Sequence, residues 1–471
     1  MRQNAKLAVL LLLALVTVAV GWAQQEVPPQ NAPGPATQDQ TSAPDTGSAA
    51  TVVPDNRPLT GAQEGGLGLP ASFHSNMVFR MAASETVNSN SDFLGGDSNR
   101  YNGGGNIAGN VEVSHYWRRG QIFYQGGAAY NSRRGDVFQT HSLVASQKFT
   151  GPRLSFLLSD QFRYTPAADF GAAGMEGLLG MDTLGGISGF GTLGQSARTA
   201  GVATLNSSFV PNQSVLTAPS GRINNTVVGE VEYRLNFRQS VTMTGSYGLL
   251  HAMDSDLLET RQYNAAFGYN YLVNANTTVA ANYDYTRLDY SVFDRAVNSH
   301  SVGLMFGRTL LGRLRFTAGG GGQFYTIDDP GISQSDVTWN SNAGLQYSLG
   351  RLSLRADWMR SVTAGSGVLP GAETNSVTVR GERQFAGVWN LLVNAGYADN
   401  KGLGSPQGFE TEYVGAGVNR RLGRHVGMFA NYNLQHQKGS AACTARGCGI
   451  AFMQHVFSIG LNWISQPIGI F

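Results

Sequence analysis

The residues that could carry out chemistry in this 471-residue chain are few and scattered. A G-x-G-x-x-G match runs from Gly189 to Gly194, but the dinucleotide motif also needs a preceding strand and a following helix, and neither is readable there. A chain with 61 glycines produces such matches by chance. There is no G-x-S-x-G motif, and the 8 histidines show no metal-ligand spacing. We therefore predict no enzyme, no metal site and no cofactor.

The two cysteines, Cys443 and Cys448, lie close together near the C-terminus. In an exported protein, a local disulfide that pins a loop is the usual role of such a pair. His436 and His455 flank the loop, but a structural metal site would need a second pair of ligands at suitable spacing. We predict a Cys443–Cys448 disulfide, with a metal site as the weaker alternative.

The N-terminus predicts export. Arg2 and Lys6 precede an apolar run from Leu7 to Trp22. Gly21 and Ala23 place small residues at the −3 and −1 positions, as in a secretory signal peptide cleaved after Ala23. A single transmembrane anchor is the alternative, although the run is short for one. Arg2 and Lys6 also account for the excess of 33 Lys and Arg over 31 Asp and Glu. The mature chain therefore has no basic field that would favour nucleic acid.

Residues 24–72 are rich in Pro, Gln, Ala, Ser and Thr and contain almost no aromatic residues. Such a composition cannot bury enough apolar surface to impose order. We predict a disordered periplasmic leader; binding of a partner or of the cell wall is the alternative. The segment is too short for the folded plug domain of a TonB-dependent transporter.

The remainder of the chain is built from alternating residues. Near its end, Phe457, Ile459, Leu461 and Trp463 alternate with small and polar residues. Period two over segments of about 10–13 residues indicates β-strands. Only 14% of the residues are charged and the mean hydropathy is −0.16. This average is what strands with one lipid-facing and one water-facing side produce.

The connections between these segments alternate in length. Very short turns, such as those at 118–120 and 311–312, are separated by longer polar loops, such as 84–105 and 326–336. About 18 segments can be counted, with 16 as the fallback because the first, 73–82, is weak; an even number suits a bacterial single-chain barrel. A barrel of this size leaves room for an aqueous channel. We predict an all-β fold, a transmembrane antiparallel up-and-down β-barrel.

The chain resembles the Gram-negative outer-membrane β-barrel, porin-like superfamily. The resemblance rests on the signal peptide, the alternation, the unequal connections, the aromatic residues near strand ends and the terminal Phe471. The resemblance covers residues 73–471 and implies an outer-membrane location. It also implies lipid and the barrel-assembly machinery as partners, and homo-oligomers are possible. One departure is that the alternation stops near Ile464 and Pro467 interrupts the ladder. The C-terminal assembly signal would comprise Phe457, Ile459, Leu461, Trp463 and Phe471.

The polar side of the strands is the predicted lumen wall. Basic residues outnumber acidic ones on this side. Besides the principal candidates named below, the basic residues there are Arg80, Lys148, Arg153, Arg238, Arg313, Arg351 and Arg421. Because charged rings tune ion selectivity, we predict a mild anion preference. The alternative is that neighbouring charges merely pair across the wall, Arg234 with Glu232 or Arg355 with Asp357. The principal candidate lumen charges are Arg163, Arg234, Arg315, Arg355, Arg380, Glu230, Glu232, Asp284, Asp357 and Glu382.

The insert 165–222 is long, glycine-rich and nearly uncharged. Loops of this length are usually functional. By resemblance to porins it could fold into the barrel and constrict it; an apolar plug and an external flap are alternatives. We expect a channel for passive diffusion of small polar solutes. A structural or adhesive surface barrel is the main alternative, and a lipase- or protease-type barrel enzyme is a lesser one. The solute and the oligomeric state cannot be read from the sequence.

Overall fold

Alternation gives every strand one apolar and one polar face, and a sheet of such strands can bury its polar face by closing into a barrel. The computed structural model describes residues 53–54, 57–63, 65, 67–68, 74–89, 102–132, 137–165, 171–172, 205–215, 221–253, 259–291, 294–439 and 452–470. The predicted signal peptide, the predicted Cys443–Cys448 disulfide and Phe471 lie outside the described residues.

Eighteen long strands follow one another along the chain, each antiparallel to its neighbours, and form a closed barrel. The predicted fold class and strand number are confirmed. The strands are β1 Asn76–Asn88, β2 Asn102–Trp117, β3 Gly120–Asn131, β4 Val137–Thr150, β5 Leu154–Thr165, β6 Arg222–Arg234, β7 Gln239–Ala252, β8 Thr260–Asn274, β9 Thr277–Tyr290, β10 Arg295–Leu310, β11 Leu314–Asp329, β12 Ile332–Leu349, β13 Leu352–Thr363, β14 Ala372–Phe385, β15 Trp389–Gly402, β16 Gly408–Arg421, β17 Val426–Gly439 and β18 Phe452–Ile464.

The barrel closes between β18 and β1. Their ladder ends at the pair Ile464↔Arg80, and the chain pairs with β1 again at Ile468↔Met77. The register shifts by one residue between these two pairs, as in a β-bulge. The interruption predicted at Pro467 is therefore local, because the pairing resumes beyond it.

The connections differ in length at the two ends of the barrel. At one end, which we call the short-turn end, β12 and β13 are joined by residues 350–351 alone. Gly312, Gly350 and Gly387 have φ values of 65°, 53° and 69° in these turns, a region that suits glycine. At the other end, the long-loop end, β5 and β6 are separated by residues 166–221.

The outer wall is apolar and the inner wall is polar. On β18 the outward side chains of Phe457, Ile459, Leu461 and Trp463 are 46%, 48%, 54% and 41% exposed. The intervening inward residue Ser458 is only 2% exposed. The same alternation runs along the other strands. The described residues contain no helix whose length and apolar character would let it cross a membrane.

Aromatic rings form a belt near each end of the outer wall. At the short-turn end, Phe385 stacks on Trp389 with ring centroids 6.2 Å apart. At the long-loop end, Trp339 lies 6.3 Å from Trp358. Such belts mark the two membrane interfaces of an outer-membrane barrel.

Several strands are longer than the sequence predicts. The loops predicted at 84–105 and 326–336 are shorter, because β1 continues to Asn88 and the β11–β12 hairpin turns only between Asp329 and Ile332. The additional pairs of the β11–β12 hairpin lie beyond the belt residue Trp339 at the long-loop end, where both faces of a strand meet water. Alternation of apolar and polar residues therefore ends before the ladder does.

Candidate functional site

The barrel lumen is the candidate functional site, and its charges lie where alternation placed them. All ten of the principal candidate lumen charges lie on the inward-facing side of their strands. Arg315 and Glu232 are among the most buried, at 8% and 9% exposure. Their role in conduction stays a prediction.

Most of these charges have partners of opposite sign or amide donors. Arg355 and Asp357, two residues apart on β13, form an ion pair of 2.6 Å. Arg234 lies 3.5 Å from Glu232 on β6. Paired charges contribute little net field to the lumen, so the excess of basic residues overstates the field that a solute meets.

A further ion pair is more deeply buried than any of these. Arg80 on β1 donates to Glu112 on β2 at 2.5 Å, and the two side chains are 3% and 1% exposed. Such a pair survives only if each charge is compensated, because either one alone would be left desolvated.

Part of the predicted leader crosses the lumen near the short-turn end. We call residues 57–63, 65 and 67–68 the strap. The hydroxyl of Thr60 lies 2.6 Å from the hydroxyl of Thr242 on β7. The side-chain amide of Asn270 on β8 donates a hydrogen bond of 2.7 Å to the Thr60 hydroxyl. The backbone N–H of Ala62 donates to the carboxylate of Glu230 on β6. The wall thus supplies this part of the predicted leader with hydrogen-bond partners that composition does not reveal.

The strap continues to the far wall. Leu67 and Gln346 on β12 exchange two hydrogen bonds of 3.1 Å, which involve both backbone groups of Leu67. Between these anchors the guanidinium of Arg315 lies against Gly65, where an added Cβ would come within 2.6 Å of it. The strap therefore spans the lumen from β6 to β12.

The end of the long insert lies inside the barrel. Leu205, Phe209 and Val210 form a buried apolar cluster with Ala62 of the strap and with inward residues of β6 and β8. The carbonyl of Ser208 accepts a hydrogen bond of 3.0 Å from Gln262 on β8. Residues 205–215 thus lie along the inner wall; most of the remaining insert lies outside the described residues.

The loop between β13 and β14 covers this segment at the long-loop end. Ser366, at a φ of 61°, accepts a hydrogen bond of 2.7 Å from the backbone of Ser214. Leu369 is fully buried against Val215 and Phe409. We did not predict this inward loop, and its only sequence signal is the run of glycines and small residues at 365–371.

A cavity remains between these segments and the wall of β9 to β13. Thr60 and Asn206 border it on one side, and Asn282, Asp284 and Asn340 border it on the other. Asp284 accepts hydrogen bonds from Asn282 and from the hydroxyl of Ser301. The lining combines these polar groups with apolar side chains such as Phe209, Met305 and Met359. The polar groups could hold hydrated or hydroxylated molecules at one side of the cavity.

The inner wall is also rich in carboxamides, which the sequence prediction placed on the polar side without assigning them a role. On β17 every second residue from Asn431 to Gln437 is an amide, and all four are buried. In the sequence these residues form the pattern N-x-N-x-Q-x-Q, in which every amide falls on the polar side of the strand.

The histidines on the outer wall are bonded to tyrosines. His300 and His455 lie 2.8 Å from the hydroxyls of Tyr283 and Tyr432, respectively, in the belt at the long-loop end. Among the described residues no group of three His, Cys, Asp or Glu side chains could hold a metal ion.

Comparison with known proteins gives a likeness of fold only. No protein-family model matches the chain, and no curated protein matches it. OccK2 (OpdF) of Pseudomonas aeruginosa in complex with glucuronate is 8% identical, with 84% of this chain and 98% of that chain covered and a TM-score of 0.41. OpdQ of the same organism is 11% identical, with 84% and 99% covered and a TM-score of 0.39. OccAB4 of Acinetobacter baumannii is 7% identical, with 84% and 98% covered and a TM-score of 0.39.

The structural conclusion rests on the chain's own geometry. Eighteen antiparallel strands close on themselves, the outer wall is apolar between two aromatic belts, and the lumen is polar. The chain has the fold of an outer-membrane, porin-like β-barrel.

Proposed function

We propose that the barrel is a channel for passive diffusion of small polar solutes across the outer membrane, narrowed by the strap and by residues 205–215. The cavity beside these two segments, which is bordered by Thr60, Asn282 and Asp284 among others, is the observation that carries the proposal. A barrel of this strand number is wide enough for water to fill the space that the segments leave.

Selectivity among ions is expected to be weak. The predicted mild anion preference remains part of the proposal, since Arg163, Arg315 and Arg380 face the lumen. The ion pairs of Arg355 with Asp357 and of Arg234 with Glu232 reduce this anion preference. Reversal potentials in a KCl gradient measure the preference, and a clear cation preference would contradict it.

The refolded protein in planar bilayers tests the channel. We expect steady open-channel steps in KCl. Thr242→Val with Asn270→Leu removes two anchors of Thr60, so these steps should become larger or fluctuate between levels. Thr244→Val, on the same face of β7 and without a described contact to the strap, is the matched control. A silent bilayer would favour the structural or adhesive alternative.

We also propose the outer membrane as the location, with signal-peptide cleavage after Ala23 and assembly by the barrel-assembly machinery. The outward row Phe457, Ile459, Leu461 and Trp463 and the terminal Phe471 support recognition of the C-terminus. Removal of Phe471 should reduce assembly in cells while refolding in detergent continues.

Association with a second copy is the final part of the proposal. Asp160 lies on the outer face of β5, four residues from each of the belt residues Phe156 and Tyr164. Its carboxylate accepts one hydrogen bond of 3.0 Å, from Asn225 on β6. A charge midway across the lipid-facing band is costly. Gly229 nearby has no heavy atom within 4 Å of an added Cβ, so another wall could approach closely.

A further inference from the structure

We infer that the inner wall of β15 to β18 is a binding path for neutral, polyhydroxylated solutes such as small carbohydrates, and that its buried carboxamides recognise them. This inference rests on the proposed channel function and names the solute class of the same lumen. We call the β17 residues Asn431, Asn433, Gln435 and Gln437 the amide ladder.

The amide ladder follows the direction of transport. Its members alternate with outward residues, so their side chains all face the lumen and recur about every 7 Å along the strand. The ladder spans about 20 Å, most of the height of a lipid-facing band. Asn419 and Asn462 continue it toward the short-turn end, where both side chains lie over Gly427.

Within the described chain, several of these buried amides lack partners. No hydrogen bond reaches the oxygens of Asn394 and Gln435 or the amide nitrogens of Asn419 and Asn431, and neither polar atom of Asn462 is bonded. All five side chains are at least nine-tenths buried. An unsatisfied buried polar group costs about 1–3 kcal/mol, so such a concentration indicates that the partners come from outside the chain.

The wall around the ladder is nearly free of charge. Among the described residues of β15 to β18, Arg421 at the short-turn end is the one charged residue on the inward side. The charged residues Glu410 and Glu412 lie on the outward side of β16. Gly415 and Gly417 of β16 lie directly opposite Asn433 and Asn431, so they add no polar or charged side chain beside the ladder.

The chemistry of these atoms selects the solute. The unpaired set contains both acceptors and donors, and a carboxamide presents one of each. A hydroxyl group both donates and accepts, so a polyol can satisfy amide oxygens and amide nitrogens together. A carboxylate only accepts and an ammonium group only donates, so each leaves half of the set unsatisfied. An ion also gains no Coulomb attraction from a neutral wall.

Liposome flux tests this assignment. We expect the wild type to pass sucrose faster than anionic or cationic solutes of the same size. Asn431→Leu with Gln435→Leu should reduce sucrose flux about fivefold for each hydrogen bond lost, while KCl conductance persists. Asn106→Leu with Asn264→Leu is the matched control, since both of these inward amides are already bonded to hydroxyls. Equal losses for all three solutes would show simple narrowing and overturn the inference.

A binding measurement separates this inference from the channel function. Saturation-transfer NMR with sucrose and the detergent-refolded barrel should give signals in the wild type and in the control, but not in the ladder variant. If KCl conductance is absent, the channel proposal fails, but the NMR measurement still shows whether the amide ladder binds sucrose. If the barrel conducts but sucrose binds the wild type and the ladder variant equally, or binds neither, the ladder assignment fails alone.

Discussion

Arg80 and Glu112 on the inner wall form an ion pair in which both side chains are almost fully buried. Glu112→Leu removes the carboxylate that contacts the buried guanidinium of Arg80, and breaking a buried ion pair in this way typically costs about 3–5 kcal/mol. We expect the urea midpoint of the refolded barrel to fall sharply. Arg80→Met combined with Glu112→Leu removes both charges and should recover most of the loss. A double variant as unstable as the single one would contradict this account.

A second residue-scale prediction concerns pH at the rim. Glu259 precedes β8 at the long-loop end and accepts hydrogen bonds of 2.8 Å from each of His251 and Arg261. Burial raises the pKa of the Glu259 carboxyl, but these hydrogen bonds outweigh burial, so the pKa lies below its ordinary value.

The sign of the pH effect follows from that lowered pKa. The contact stabilises the fold above the unfolded-state pKa of about 4.3, and this stabilisation is lost as the pH falls through the folded-state value. The wild type should therefore have a higher melting temperature than Glu259→Gln at neutral pH, and this difference in melting temperature should vanish in acid. Thermal melting at both pH values measures it. If the two proteins still differ in melting temperature in acid, the destabilisation by Glu259→Gln is due to lost packing and not to the charge of Glu259.

At the scale of the element, the inward loop at 364–371 should hold the end of the insert in place. Leu369 packs against Val215, and Leu→Ala at a buried site typically costs about 2–5 kcal/mol. We expect Leu369→Ala to leave the barrel folded but to expose residues near 215 to limited proteolysis. Leu391→Ala, on the outer face of β15, is the control. An unchanged cleavage pattern would show that the loop does not fix the insert.

The strands were predictable because every residue of a strand carries information about its face. Phe457 to Trp463 alternate without exception, and glycines such as Gly350 mark the tight turns. The strap and the inward loop have no such period. Thr60 is held by hydrogen bonds to Thr242 and Asn270 on distant strands, and such contacts leave no pattern in the local sequence. The lumen charges do follow the period, so they could be placed on the inner face. The alternative of pairing between residues two apart could also be stated, and the structure contains the pairs Arg234–Glu232 and Arg355–Asp357.

At the scale of the whole molecule, Asp160 distinguishes a lone barrel from an associated one. If its outer face meets only lipid, replacement by Leu removes a costly charge from the lipid-facing band and should stabilise the barrel. If a second copy covers it, the same change removes a polar contact of the interface.

We expect association. Cross-linking of the native protein in membranes should give dimers or higher species that Asp160→Leu reduces, and Asn225→Leu should act in the same direction because Asn225 holds the Asp160 carboxylate. Asp289→Leu is the control, since Asp289 lies on the outer face of β9 near the long-loop end and pairs with Arg287 at 2.9 Å. It should leave the cross-linked species unchanged. A wild type that remains monomeric, together with an Asp160→Leu variant of higher melting temperature, would assign this wall to lipid instead.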